Sequence, residues 1–568
     1  MSSDNYWTRW QDRRTSRRRW LQGAASGLAG AAAIGIVGCG DDDDAAKSGA
    51  SPTAGASAAA ERPVRGGTLK LVNYSSFGWT DFVDPAAASY VSSAYPSQLF
   101  YLEGLLDFSK DGAIVAGLAK EWAYDATGTE LTLKLVDNAK FQDGTPVNAE
   151  AVRFTVERAI QKEGRPNGLL LPTILPKGVR VLDANTAVVT LNKPSPDFLG
   201  YLTSAFNYCP VSPTAYKTAD DPWGFRSAVV ERPITAGPFK LTAWEKNQSR
   251  RFERFDGYYK GAVSLDAIEE RVVLEAAQRA TLIRTGEAHA VNNIFPQDVA
   301  SLKNEKSVNV QLLNGSRSVT ATFNGLGVFG PDSAKTRLWR QAMMMGIDRE
   351  AILKNQLLGI GRISDSPLLD FQDGFKSTKV WKYDPKAAKQ QLQDNGFDFN
   401  HTVVMYFPSG GFTGDKTMTE AVQAMWQQIG LKVTLRQFND LPTMYSTILQ
   451  EGQNGSWDVD MIAWSMAPVS ADRMFGLFNK DGSVNKNSIT NYVDDDGQTD
   501  KLTNQIIITT DDTKRRQLMI ELQTHIMDDL PQLPLFQQGF VWALGQKVKG
   551  GTPTILETID LRRAWMAG

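Results

Sequence analysis

Cys39 is the residue whose neighbours most clearly specify a reaction. It closes Ile36-Val37-Gly38-Cys39, which fits a lipobox, so the expected chemistry is attachment of lipid to its sulfur. Upstream, Ser16-Arg17-Arg18-Arg19-Trp20-Leu21-Gln22 matches a twin-arginine export signal, with Trp20 where Phe is usual and Arg17 and Arg18 as the paired bases. Between them Gly23 to Val37 is a weakly apolar stretch of Ala and Gly. It falls short of the ~20 strongly apolar residues a spanning helix needs. The expectation is a removable leader over 1–38; the alternative is an N-terminal anchor that stays uncleaved.

The other reactive side chains are sparse. Cys209 lies in an apolar setting, Phe206-Asn207-Tyr208-Cys209-Pro210-Val211, where a thiol acts as a small buried group. With Cys39 lipidated it has no intramolecular partner, so no disulfide framework is expected. His289, His401 and His525 stand far apart with no ligand-spaced neighbours, so neither a metal site nor a cofactor is expected. G-x-S-x-G and H-E-x-x-H are both missing, and the residues give no support to an exported hydrolase.

The elements that would position any site are mixed. After Gly66-Gly67, Thr68 to Tyr74 alternates as a strand, as do Leu131, Leu133, Leu135 and then Ala187, Val189, Leu191. Asp143-Gly144 is a turn, and Asn148 caps a helix running to about Ile160. Asp384-Pro385 opens another helix closed by Gly396. Thr402 to Phe407 is a strand, Met418 to Ile429 a helix stopped by Gly430, and Leu431 to Phe438 a strand. Neither heptads nor a 20–50 residue repeat occur. The chain is α/β.

Bulk properties bound the partners. The 568 residues carry a net charge of −2; removing 1–38 takes away six Arg and two Asp and leaves −6. That sign favours solubility and gives no reason to expect nucleic acid. Residues 39–65 form a tether, four Asp followed by Ala, Ser, Gly and Pro, a composition that supports no core.

Several segments, in order, resemble the extracellular solute-binding proteins of peptide-type ABC transporters, the oligopeptide, dipeptide and nickel binders. They are Leu118-Ala119-Lys120-Glu121-Trp122, Phe141-Gln142-Asp143-Gly144-Thr145-Pro146-Val147, Thr235-Ala236-Gly237-Pro238-Phe239, Phe255-Asp256-Gly257-Tyr258-Tyr259, Gly346-Ile347-Asp348-Arg349-Glu350 and Leu533-Pro534-Leu535-Phe536. Each also has a plain reading: the Gly-Pro and Asp-Gly strings are turn chemistry, and Asp348-Arg349-Glu350 a helix-start acid in a solvated charge cluster.

The resemblance implies a two-lobed periplasmic-binding-protein-like fold (type II, class C) with an additional domain on the first lobe. Lobe one is expected over 66–107, 231–313 and 531–568, the additional domain over 108–230, and lobe two over 318–530. The chain crossings expected as hinges are Leu313–Ser318 and Asp529–Pro534. The implied function is a non-enzymatic, extracytoplasmic receptor held by lipid on Cys39, expected to be a monomer. It would capture a small molecule or short peptide and deliver it to ABC permease subunits.

The resemblance also implies where ligand binds. Expected contacts are Phe77 and Trp79 after the first strand, Tyr406 and Phe407 at a lobe-two strand end, and Trp464, Ser465, Met466 and Ala467. In the peptide binders an Asp three residues after the cleft Trp pairs with the peptide ammonium, and an Arg three residues before it can pair with a carboxylate. Ala467 and Met461 stand there instead. An aromatic pocket without those charges suits a sugar or an organic cation as alternative ligands. A ligand sensor without transport is a further alternative.

Overall fold

The computed structural model describes residues 62–568 except 75–83, 86–96, 110–111, 162–175, 204–207, 226–229, 247, 331–332, 452–455, 467, 483–484, 486–489, 491, 493 and 495. Arg17, Arg18, Cys39, Phe77, Trp79 and Ala467 lie outside the described residues. Among the described residues no helix is long and apolar enough to cross a membrane.

The strands in chain order are β1 Thr68–Asn73, β2 Leu106–Phe108, β3 Ile114–Ala116, β4 Ala119–Tyr124, β5 Glu130–Leu135, β6 Pro176–Asp183, β7 Thr186–Leu191, β8 Phe239–Glu245, β9 Ser249–Arg254 and β10 Ala267–Val272. There follow β11 Ala290–Asn292, β12 Val308–Phe323, β13 Gly361–Ile363, β14 Thr402–Pro408, β15 Lys432–Phe438, β16 Val459–Ser465 and β17 Gln532–Gly545.

One large sheet runs β15-β14-β16-β12-β17-β11-β1-β10-β9-β8, with β13 added on β17. At one end β14 lies parallel to β15 and β16; at the other β1 lies parallel to β10 and β11. The long antiparallel pair β12/β17 joins these halves. Its register breaks between Asn314 and Ser318, opposite Gln537–Gly539. Past the break the core changes: Leu533, Leu535 and Phe536 pack with Met343, Trp426 and Val459, whereas Phe540 and Trp542 pack with Leu69, Phe252 and Ile268.

A separate antiparallel sheet, β4-β5-β7-β6, carries the helix Ala149–Gln161. Alternation on β5 buries Leu131, Leu133 and Leu135, and these face Val152, Val156, Ala187 and Val189 in one apolar cluster. The Asn148 side chain accepts from Ala151 N at 3.0 Å, and Asp384 caps Pro385–Asp394 by accepting from Ala387 N. Gly430, at φ +100, follows the helix Asp415–Gln428 in a backbone region that suits Gly.

Asp348 caps its helix as expected, but Arg349 is not part of a solvated cluster. It is 5% exposed, donates to the carbonyls of Ser364 (2.6 Å) and Trp381 (2.8 Å), and pairs with Asp365 at 3.0 Å. A guanidinium with five fixed donors can stitch separate loops together, which is why it tolerates burial here.

Candidate functional site

The site is built on the pairing of β12 with β16, where Arg317 lies opposite Ser465 and Ser318 opposite Trp464. Side chains alternate along strands, so Ser318, Thr320, Thr322, Asp460, Ile462 and Trp464 share one face and Arg317 and Ser465 the other.

On the first face Trp464 is 7% exposed, its ring 6.3 Å from that of Tyr445 and 4.6 Å from the Arg473 guanidinium. A cavity of about 10 Å³, room for one water, is lined by Ser318, Thr320, Trp464, Met466 and Gln532 among others. The Trp464 and Gln532 nitrogens and both Asp460 oxygens lack a hydrogen-bond partner of good geometry. Burial pushes the Asp460 carboxyl up to about 8, against a smaller opposing pull from Thr322.

On the second face Arg317 Nε lies 3.1 Å from Glu557 Oε2, and Arg317 Nη1 donates to Gly411 O at 3.2 Å. Glu557 comes from the tip of the C-terminal hairpin Thr552–Pro553/Ile559–Asp560 and holds φ +63. Burial raises its carboxyl, with Arg317 opposing. A side chain at Gly315 would meet Glu557 Oε1 at 2.8 Å, so the chain needs glycine there to let the acid in.

The halves of the large sheet meet through the loop after β14. Tyr74, directly after β1, donates to Gly410 O; Thr413 Oγ1 donates to Asn293 Oδ1 at 2.7 Å; Gln538 Nε2 donates to Thr413 Oγ1 at 2.9 Å. Gly410 has φ +70, and an added Cβ would lie 2.8 Å from the Tyr74 hydroxyl. Burial pushes the Tyr74 phenol up to about 12 despite nearby Arg317. The Arg279 guanidinium, 4.8 Å from the Tyr74 ring, fixes the rim by donating to the carbonyls of Leu274 and Asn293.

Of the residues expected at the ligand, Ser465 lies on the face of Arg317, Trp464 on the other face of the pair, and Met466 N donates to Ser316 O at 2.7 Å. Tyr406 and Phe407 face opposite ways. Tyr406 packs with Phe438 and Trp457 and donates to Glu451 at 2.6 Å, while Phe407 joins the core of Val403 and Val459. Sequence reasoning passed over Arg317, Glu557 and the Gly410–Thr413 loop. The paired glycines of Ser409-Gly410-Gly411-Phe412-Thr413-Gly414 after a strand were the available signal; nothing local marks Glu557, which reaches Arg317 from 240 residues away.

Among the described residues one group, Asp494, Asp496 and His525, brings ligand atoms within 4.8 Å of one another. Asp494 there already receives His525 Nε2 at 3.2 Å and the Thr499 amide.

The model of bacterial extracellular solute-binding proteins, family 5 Middle, matches residues 113–486. A glutathione-binding protein GsiB from Pectobacterium atrosepticum is 28% identical over 353 residues, 62% of this chain and 66% of that protein. The Shigella flexneri protein of the same name is 25% identical over 481 residues, 82% of this chain and 89% of its own. Among solved structures, the ABC transporter substrate-binding protein CtaP from Listeria monocytogenes gives a TM-score of 0.75 at 22% identity, covering 89% of this chain and 100% of its own. A dipeptide-binding protein from Pseudoalteromonas sp. SM9913, solved with Met-Leu, gives 0.76 at 19% identity, covering 88% and 100%.

Proposed function

This chain belongs to family 5 of the bacterial extracellular solute-binding proteins, and we propose that it captures a charged, peptide-like solute between its two lobes. Members of the family are non-enzymatic receptors that work outside the cytoplasm with ABC permeases. Glutathione, a peptide-like molecule with carboxylates and an ammonium, is the first solute to test, because relatives carry its name.

The observation that carries this reading is the Arg317–Glu557 pair. The acid and base expected around Trp464 are replaced by Ala467 and Met461, and Met461 is wholly buried. Arg317, on the strand next to Ser465, and Glu557, from the hairpin packed against it, supply one charge of each sign. A solute carboxylate takes the guanidinium and a solute ammonium takes the Glu557 carboxylate, so the ligand replaces an internal pair with two charge-assisted bonds. Trp464, Ser465, Met466 and Ala467, with Phe77 and Trp79, are proposed as further wall, and Tyr406 and Phe407 as its support.

In the cell, lipid on Cys39, installed after export through Arg17 and Arg18, would hold this monomeric receptor at the membrane. The boundaries proposed for the two lobes and the additional domain are those of the sequence reading.

The test is calorimetry of the purified protein against glutathione, di- and tripeptides, the same peptides with blocked termini, Ni–histidine complexes, oligosaccharides and choline. Binding of free peptides, with Arg317→Ala weakening them by about 2–5 kcal/mol, is expected. Binding confined to sugars or choline would sink the reading.

A further inference from the structure

Val469 lies five residues after Trp464, yet it belongs to another core. It is 9% exposed and clusters with Phe198, Leu199, Tyr201 and Leu202, beside the sheet β4-β5-β7-β6. The socket that receives it is cut to fit. A Cβ on Gly200 would stand closer to Val469 Cγ1 than non-bonded carbons approach, with the Phe108 ring 3.7 Å away. Next to it, a side chain on Gly112 would touch both Pro468 (3.7 Å) and Ile555 (3.2 Å).

Charge contacts flank this socket. Asp197, just before Phe198, lies 3.7 Å from Arg515 on the helix Asp512–Asp529. Arg515 also pairs with Asp373, whose backbone carbonyl accepts from Ser470 Oγ at 2.7 Å. The segment after Trp464 is therefore held at both ends, by Ser316 through the Met466 amide and by the smaller domain through Val469.

We propose that the four-stranded-sheet domain takes part in lobe closure, with Val469 and Gly200 as positioning residues for Trp464–Met466, proposed above as solute contacts. The proposal rests on the interlobe cleft being the solute site. When the lobes close, Val469 enters the Gly200 socket and fixes Trp464–Met466 against β12, where Met466 N donates to Ser316 O. A solute that needs that segment elsewhere is selected against, so the smaller domain contributes to specificity without touching ligand. Removing the seat lowers the closed fraction, and apparent affinity falls in proportion.

The experiment is a spin-label distance measurement between Lys303→Cys and Glu420→Cys, two exposed positions on the helices Pro296–Lys303 and Asp415–Gln428, which flank opposite halves of the large sheet, with calorimetry on glutathione alongside. Gly200→Ala should shift the ligand-free protein to longer distances and weaken glutathione about tenfold or more. Adding Val469→Ala to it, which removes the obstructed methyls, should restore the wild-type distances. Val469→Asp, made in a loop outside the lobe-two core, should open the protein even where Gly200→Ala folds poorly. Unchanged distances in folded Gly200→Ala and Val469→Asp, or no recovery in the double variant, would overturn the proposal. If wild-type protein ignores glutathione and every peptide, the solute assignment fails while the distances still decide the role of Val469.

Discussion

The two faces of the β12/β16 pair bury an acid each and treat it in opposite ways. On one face Asp460 is wholly buried among Thr322, Ile462 and Trp464, with no hydrogen-bond partner of good geometry for either oxygen. On the other, Glu557 is as deeply buried but has the Arg317 guanidinium 3.1 Å away. Burial raises both carboxyls; that of Asp460 rises to about 8 with only Thr322 to oppose it. A buried acid with no counter-charge stays protonated and behaves as a polar neutral group, whereas a paired one keeps its charge available for exchange with a ligand. The protein thus buries one acid against a hydroxyl and the other against a guanidinium.

The largest test of this contrast is Asp460→Asn. A carboxyl whose folded pKa is raised binds protons more tightly folded than unfolded. Its stabilising contribution is complete below the unfolded value near 3.8 and is lost as pH rises toward about 8. Stability of the wild type should therefore decline between roughly pH 4 and 8, by up to about 5 kcal/mol. Urea unfolding across that range should show the decline removed in Asp460→Asn. A wild type equally stable at both ends would mean that Asp460 has a counter-charge.

Next in size is Arg317→Met, which leaves Glu557 buried without its partner and should cost about 3–5 kcal/mol. Combining it with Glu557→Leu should recover most of that loss, since two apolar side chains need no partner. If the double variant is as unstable as the single, the pair is more than a compensated burial, and the contrast with Asp460 weakens.

The smallest is Thr322→Val. It removes the hydroxyl that opposes the rise of the Asp460 carboxyl, so the alkaline end of the decline should move to higher pH. Stability at pH 7 should change by about 1 kcal/mol or less. A downward move would show that Thr322 favours the protonated acid instead.

How much of this could be read along the chain follows from how local each cause is. The cap of Asn148, the alternation of Leu131, Leu133 and Leu135 and the stop at Gly430 depend on neighbours within a turn or a strand, and the expected elements stand within a few residues of the observed ones. The family was legible because its turn and cap strings recur in order. Arg349 was misjudged because an Arg in an acidic string looks solvated, while its partners are Ser364 and Trp381 in later loops and Pro534 in β17. Trp464 could be marked by its segment, but the face opposite it could not. Arg317 gains meaning only through the register with Ser465 and through Glu557, and Val469 only through a glycine at position 200. No spacing rule reaches across such intervals.

The position of β17 governs the order in which this protein can be made. It begins at residue 532 of 568 and lies in the middle of the large sheet, between β12 and β11. While the ribosome is still adding residues, at roughly 5–20 per second, the two halves of the sheet lack their shared central strand, and β12 and β11 each present an open edge. Folding of either half of the sheet cannot finish until β17 has been added. A nascent chain must be shielded until β17 emerges, and a truncation before Gln532 leaves two incomplete halves rather than one sound lobe.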